Sequence, residues 1–183
     1  KYAIFNILNL REIFVKNKFA NIKNKKALLI FFKNTNPDLA IHMAAQPILI
    51  ESYKKADETY QVNVNGTINF LECLLKQKNT KAAIIVTSDK CYENNGLVKK
   101  NGFTENDKLG GKDPYSSSKA CDELVTEAYR YSFLNNKKIN VASVRAGNVI
   151  GGGDWADYRL FVDLAKFIFM KKKIQIRNLN SIR

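Results

Sequence analysis

The sequence predicts an α/β chain with a parallel sheet, on three observations. Short apolar, largely β-branched runs recur at Leu39–Ala45, Ala82–Val86 and Ile139–Val144. Stretches with helical spacing of apolar residues stand between them. Such alternation builds parallel sheets, because parallel neighbours need a crossover long enough to hold a helix. Proline and glycine punctuate the runs, at Pro37-Asp38, Gly110-Gly111 and Gly151-Gly152-Gly153.

Each element has its own local reason. Tyr2–Leu10 is expected as a short helix and Ile13–Phe19 as a short strand. Lys25–Lys33 reads as a helix capped by Asn24, ended by the Pro37-Asp38 break. Leu39–Ala45 reads as a buried strand that leaves through Ala44-Ala45-Gln46-Pro47, where small residues admit either a ligand or tight packing. Ile50–Tyr60 and Val62–Lys78 read as one broken or two successive helices. Val64, Ile68, Leu71, Leu74 and Leu75 form the expected core face. Ala82–Val86 is a second buried strand. Cys91–Gly111 is a long polar loop holding four of the nine glycines, of a length that is usually functional or mobile. Asp113 as N-cap and Pro114 at the first helical position then start a helix to about Phe133. Its apolar side is Ala120, Leu124, Val125, Ala128 and Tyr129. Ile139–Val144 is the next strand, Phe161–Met170 a helix, and Lys173–Ile176 a short last strand.

Composition narrows the function classes. The chain has 183 residues, 45% of them hydrophobic, which suffices for one real core and excludes a disordered chain. No apolar run approaches a membrane span, and Lys1–Phe19 lacks the pattern of a signal peptide. A cytoplasmic protein with no membrane partner is therefore expected. Cys73, Cys91 and Cys121 are odd in number and lack CxxC spacing, so neither a disulfide framework nor a zinc site is expected. His42 is the one histidine, leaving little room for a histidine-based triad; it is expected to pack near a strand end. The net charge of +13 suggests an anionic partner. Yet the lysines are spread among asparagine and isoleucine, with no aromatic-basic platform, so nucleic acid is not expected. A basic surface still attracts a diphosphate-bearing substrate.

The chemistry gathers between Val86 and Lys119. Val86-Thr87-Ser88-Asp89-Lys90 puts hydroxyls, an acid and a base at a strand's end, where open α/β sheets bind ligands. In Asp113-Pro114-Tyr115-Ser116-Ser117-Ser118-Lys119, Tyr115 and Lys119 stand four apart and share a helix face. A free tyrosine ionises near pH 10, and a neighbouring ammonium favours the phenolate. Tyr115 as base, Lys119 as its partner and Ser88 as hydrogen-bond donor suit oxidation of an alcohol, given a hydride acceptor. YxxxK alone is common by chance; its place after a strand ending in Ser-Asp gives it weight.

These residues resemble the extended short-chain dehydrogenase/reductase family, of NAD-dependent epimerases and dehydratases. The carrying motifs are His42-Met43-Ala44-Ala45-Gln46-Pro47, Glu51-Ser52-Tyr53, Asn63-Val64-Asn65-Gly66-Thr67, Thr87-Ser88-Asp89-Lys90-Cys91-Tyr92, Leu109-Gly110-Gly111-Lys112-Asp113-Pro114-Tyr115, Arg145-Ala146-Gly147-Asn148 through Gly153-Asp154-Trp155, and Ile176-Arg177-Asn178. The resemblance implies a partial Rossmann-like doubly wound parallel sheet that lacks the first glycine-rich βαβ unit and most of the substrate domain. It implies an incomplete NAD-binding domain over 1–149 and the start of a nucleotide-sugar region over 150–183. Within the family it points to the nucleotide-sugar 4,6-dehydratases of deoxysugar, lipopolysaccharide and O-antigen biosynthesis, with NAD as cofactor. Ser88, Asp89, Lys90, Tyr115 and Lys119 are then catalytic. Asn21, Ile22, Ala44, Ala45, Gln46, Thr87, Tyr115 and Lys119 contact NAD, and Asn148 and Arg183 the nucleotide sugar. Asn21 stands where the family has an acidic residue, and Lys90 where related dehydratases have a glutamate. Asp89 argues against a simple epimerase, which needs no acid beside Ser88. Another NAD-dependent nucleotide-sugar dehydratase or epimerase, and a non-catalytic NAD- or RNA-binding relative, remain the alternatives. No Gly-rich fingerprint occurs, so the resemblance implies an internal fragment whose missing strand pair separates its first strand from the rest of the sheet. Such a stretch is expected to be poorly stable and to bind NAD weakly. In the full-length protein a homodimer is implied, with Pro114–Phe133 and Val62–Lys78 as the candidate helices.

Overall fold

The computed structural model describes residues 7–14, 16–96, 99–173, 176 and 179. Contacts divide the chain into two compact units, Lys18–Ala146 and a second formed by Lys1–Asn17 with Gly147–Arg183.

In the larger unit the elements run α2 (Lys25–Thr35), β1 (Leu39–His42), α3 (Leu49–Lys54), α4 (Ala56–Leu74), β2 (Ala82–Val86), α5 (Pro114–Tyr129) and β3 (Asn140–Val144). The sheet is parallel throughout, in the order β1-β2-β3. Its register sets Ala40, Ala83 and Val141 in one row and His42, Ile85 and Ser143 in another. Both rows lie on the covered face: Ala40, His42, Ala83, Ile85 and Val141 are buried. The core joins them to Phe32 of α2, Phe70, Leu71 and Leu74 of α4, and Leu134 beyond α5. On the opposite face Leu39, Ile41 and Val144 are exposed. The strands therefore bury alternate residues, not the continuous runs expected, and β1 stops at His42 instead of Ala45.

Local chemistry accounts for the helix ends. Asn24 accepts a hydrogen bond from the Ala27 amide at 3.0 Å and starts α2. Asp113 accepts from the Ser116 amide at 2.9 Å and from its hydroxyl at 2.6 Å, with Pro114 in the first turn, as expected of α5. Lys55 separates α3 from α4, so the pair is two successive helices. Past Tyr129 the chain widens into a π-helical turn at Arg130–Leu134 and then tightens into a 3-10 turn at Asn135–Lys137.

Two helix faces differ from expectation. α4 buries Thr59, Asn63, Gly66, Thr67, Phe70, Leu71 and Leu74, while Val64, Ile68 and Leu75 are only partly covered. α5 buries Ser116, Ser118, Lys119, Ala120, Asp122, Glu123 and Thr126, and leaves Leu124 and Ala128 exposed. In both, hydrogen-bond demand at the strand ends turns polar side chains inward, and apolar spacing alone does not register that demand.

In the smaller unit, α1 is Leu10–Ile13 and α6 is Leu160–Phe169. The strand expected at Ile13–Phe19 is not formed among the described residues: Ile13 ends α1, and Phe14 and residues 16–19 lie in neither helix nor strand. The described sheet is accordingly three adjacent strands with no separated first strand. The strand expected at Lys173–Ile176 falls largely outside the described residues.

His42 packs at the end of β1 as expected. Its ring stacks on Phe70 at 4.9 Å, and its Nε2 shares a hydrogen bond with the Thr67 hydroxyl at 3.1 Å. Burial, helped by the Lys119 charge, lowers its pKa to about 4. An unfolded histidine titrates near 6.5, so acid favours the unfolded state between those values. The contribution is fully present above pH 6.5 and is lost as pH falls to about 4, by about 3 kcal/mol. Urea unfolding across this window is predicted to give a pH slope shallower by that amount in His42→Gln than in the parent.

Candidate active site

The three strands end side by side, and their exits gather the polar residues singled out from the sequence. β2 leads into Thr87 and Ser88, both buried, then a 3-10 turn at Asp89–Cys91. Ser88 caps this turn: its Oγ accepts from the Lys90 amide at 3.2 Å. The same hydroxyl donates to Asp89 Oδ1 at 3.0 Å. Asp89 and Lys90 are half-buried. The turn packs against α5, which carries Tyr115 and Lys119. Tyr115 is half-buried and Lys119 is buried. Ser88, Asp89, Lys90, Tyr115 and Lys119 thus occupy two elements in direct contact.

The Lys119 ammonium donates to Asp122 Oδ2 at 3.0 Å, an ion pair enclosed in protein. Burial pushes the Asp122 carboxyl up, and the Lys119 charge offsets this only in part. The Thr67 hydroxyl lies beside the carboxyl, yet Asp122 Oδ1 finds no partner in hydrogen-bond geometry among the described residues.

The exit of β1 is held by Asn63 of α4. Its Oδ1 accepts from the Gln46 amide at 2.8 Å, and its Nδ2 donates to the Gln46 carbonyl at 3.3 Å and to Ser118 Oγ at 2.8 Å. Ser118 in turn donates to the Tyr115 carbonyl at 2.7 Å. One buried amide therefore joins the β1 exit to the turn of α5 that carries Tyr115. Gln46 fixes its own loop through Thr59 and Ile48. Ala44 is exposed and Ala45 half-buried at this exit.

The exits of β2 and β3 are held by Glu123 of α5. Its Oε1 accepts a short bond from the Thr87 hydroxyl. Its Oε2 accepts from Ser143 Oγ at 2.6 Å and from Arg145 Nη2 at 3.1 Å. Burial pushes this carboxyl up, but Arg145, Ser143 and Thr87 outweigh it and hold it below its ordinary value. Sequence reasoning missed Asp122 and Glu123. The signal was present: Tyr115, Lys119 and Glu123 repeat every fourth residue along one face.

The remaining expected contacts are Asn21, Ile22, Asn148 and Arg183. Asn21 is exposed and opens a turn, accepting from the Lys23 amide at 3.0 Å. Ile22 packs on α4, where a Cβ on Gly66 would come within 2.9 Å of it. Asn148 is exposed in the smaller unit, and Arg183 lies outside the described residues. Among the described residues no group of three or more His, Cys, Asp or Glu side chains forms a metal cage. No helix among them is long and apolar enough to cross a membrane.

Comparison with known proteins gives the arrangement its context. The profile of the GDP-mannose 4,6 dehydratase family matches residues 8–151. A CDP-glucose 4,6-dehydratase of Salmonella typhimurium is 42% identical over 186 residues, covering 99% of this chain and 51% of that protein. Among solved structures, a UDP-glucose 4-epimerase of Thermotoga maritima with UDP-glucose matches with a TM-score of 0.77 at 18% identity, over 87% of this chain and 50% of that one. A dTDP-glucose 4,6-dehydratase of Bacillus anthracis in complex with NAD matches with a TM-score of 0.72 at 24% identity, over 92% and 49%. The chain spans about half the length of each of these three.

Removing the Asn63 amide strands the buried Gln46 amide and frees the β1 exit from α5. Asn63→Ala is predicted to lower stability by about 2–3 kcal/mol, read as a shift in the urea midpoint.

Proposed function

The chain belongs to the GDP-mannose 4,6 dehydratase family, and from that premise we propose that it is part of an NAD-dependent nucleotide-sugar 4,6-dehydratase acting on CDP-glucose. The observation that carries this reading is the contact between α5, with Tyr115 and Lys119, and the turn in which Ser88 donates to Asp89 at 3.0 Å. An alcohol oxidation and a dehydration need different groups, a base with a hydrogen-bond donor and a separate acid. These residues supply both.

The strand exits suit NAD chemically. Ala44 and Ala45 leave open main chain for a ribose-diphosphate to approach. Thr87 brings a hydroxyl, and Lys119 has three donors of which Asp122 takes one. Ala44, Ala45, Gln46, Thr87, Tyr115 and Lys119 would hold the cofactor. Bound there, NAD would supply reversible acceptance of a hydride from the sugar.

The chain's own residues move the protons. Tyr115 takes the O4 proton as general base, while Ser88 hydrogen-bonds O4. Lys119, one helical turn away on the same face, is the cationic partner of Tyr115 in this reading. The C4 ketone acidifies the C5 proton, which Lys90 removes. Asp89 gives a proton to the departing C6 hydroxyl, and as the hydride returns to C6 Lys90 gives its proton back to C5, so the product is CDP-4-dehydro-6-deoxyglucose. Asn148 and Arg183 bind the diphosphate of the substrate. In this reading 1–149 belong to the cofactor domain and 150–183 begin the substrate region. The working protein is a cytoplasmic homodimer paired through the α4 and α5 faces, serving deoxysugar synthesis for O-antigen lipopolysaccharide. The 183 residues by themselves, lacking a Gly-rich phosphate turn, are inactive in this reading.

The intact protein is predicted to convert CDP-glucose with NAD to a 4-keto-6-deoxy sugar, detected by its absorbance in alkali. Absence of product from CDP-glucose, with product from dTDP- or GDP-sugars, would move the assignment to a sister dehydratase. Tyr115→Phe is predicted to lower kcat by about 10²–10⁴-fold. Lys90→Met is predicted to slow exchange of the C5 proton with solvent; an unchanged rate removes Lys90 from that role.

A further inference from the structure

Beyond the residues that face substrate, a second set links the end of β2 to the long loop. Glu123 is buried, at 5% exposure, and both its oxygens are engaged. Oε1 takes the Thr87 hydroxyl, at the first residue past β2. Oε2 takes Ser143 and Arg145, from the end of β3 and just beyond it. The main chain follows the same path: the Thr87 amide donates to the Val144 carbonyl and the Asp89 amide to the Ala146 carbonyl, each at 2.9 Å. The carboxylate therefore braces the residues on both sides of the turn that holds Ser88.

Arg145 carries the connection outward. Its Nη1 donates to the Glu105 carbonyl at 3.0 Å, and its guanidinium lies 4.8 Å from the centre of the Tyr92 ring. Tyr92 stacks on Phe103 at 4.7 Å, with the rings 6° from parallel. The Lys99 ammonium lies 5.4 Å from the centre of the Phe103 ring and pairs with Asp107. A flat guanidinium stacks on an aromatic face as an ammonium does not. These contacts join Tyr92, Lys99, Phe103 and Glu105 of the loop to a single buried charge.

The loop is also pinned at its ends. The Gly110 amide donates to the Cys91 carbonyl at 2.8 Å, and Tyr92 bridges Leu109. A Cβ on Gly111 would stand 2.4 Å from the Ser117 amide nitrogen, so the loop enters α5 in contact with the turn beside Tyr115. Between these ends, Tyr92 and Glu105 both meet Arg145.

We propose that Glu123 and Arg145 are a positioning pair that makes the order of the 91–111 loop and the placement of Thr87-Ser88-Asp89 a single event. Neither residue reacts. Glu123 fixes where the Thr87 hydroxyl stands and where Arg145 points, and Arg145 holds the loop against the strand ends. The catalytic part of this inference rests on the dehydratase reading; the structural coupling does not.

The test uses the intact protein with three variants. Glu123→Gln keeps the shape and removes the charge, Tyr92→Leu removes the outer platform while staying apolar, and the third combines them. Hydrogen exchange is expected to be about tenfold faster or more from Tyr92 to Phe103 in Glu123→Gln, with core amides of β2 and α4 within about twofold of the parent. Tyr92→Leu is expected to loosen the same loop and, with substrate, to lower kcat at a nearly constant KM. The combined variant is expected to be no worse than Glu123→Gln, because both act along one path. Loop exchange unchanged in Glu123→Gln overturns the proposal, as do losses that multiply in the combined variant. A uniform rise in exchange through the core assigns the pair to stability alone and also overturns it. The exchange measurements need no substrate, so a parent protein without turnover counts against the dehydratase reading and leaves the coupling to be decided by exchange.

Discussion

Three parallel strands that end side by side bring their polar exit residues against the helices that cover the sheet, and the rest of this structure answers that constraint. A buried polar group left unmatched costs about 1–3 kcal/mol, so three adjacent polar exits cannot be left to chance. Two side chains take them in hand. Asn63 holds the Gln46 amide and carbonyl after β1. Glu123 takes the Thr87 hydroxyl after β2 and Ser143 and Arg145 at the end of β3. Both come from helices that cover the same face of the sheet, so supporting the exits and closing the core are one act of packing.

This constraint gives α5 its unusual character. A surface helix normally turns apolar residues inward, whereas this one buries Ser116, Ser118, Lys119, Asp122, Glu123 and Thr126. Charges then alternate in the interior: the Lys119 ammonium against Asp122, the Glu123 carboxylate against Arg145. Each charge is tolerable because another compensates it, and losing Asp122 would leave the enclosed Lys119 ammonium alone. The field reaches β1, where the Lys119 charge adds to burial in keeping His42 neutral. Tyr115 and Lys119 are therefore fixed by the same helix that braces the strand ends they face. Chemistry and support share one element, with no flexible joint between them.

The sequence by itself determined the alternation of strand and helix, the Asp113-Pro114 start of α5, and the presence of hydroxyl, acid, phenol and amine near one sheet edge. These are local properties: β-branched runs, a capping side chain, i and i+4 spacing. His42 was legible as a packing residue because a lone imidazole at the end of an apolar strand has few other uses. The tertiary structure alone decided which helix faces turn inward. Leu124 and Ala128 followed the apolar period yet are exposed, and Asn63 and Glu123 broke it yet are buried. The reason is physical. Hydrophobic spacing records what a helix gains by leaving water, but a strand exit's demand for hydrogen bonds arises only when distant segments meet. Likewise Ile13–Phe19 carries an apolar run, but a strand exists only with a neighbour to pair with, and that neighbour is a matter of the assembled fold.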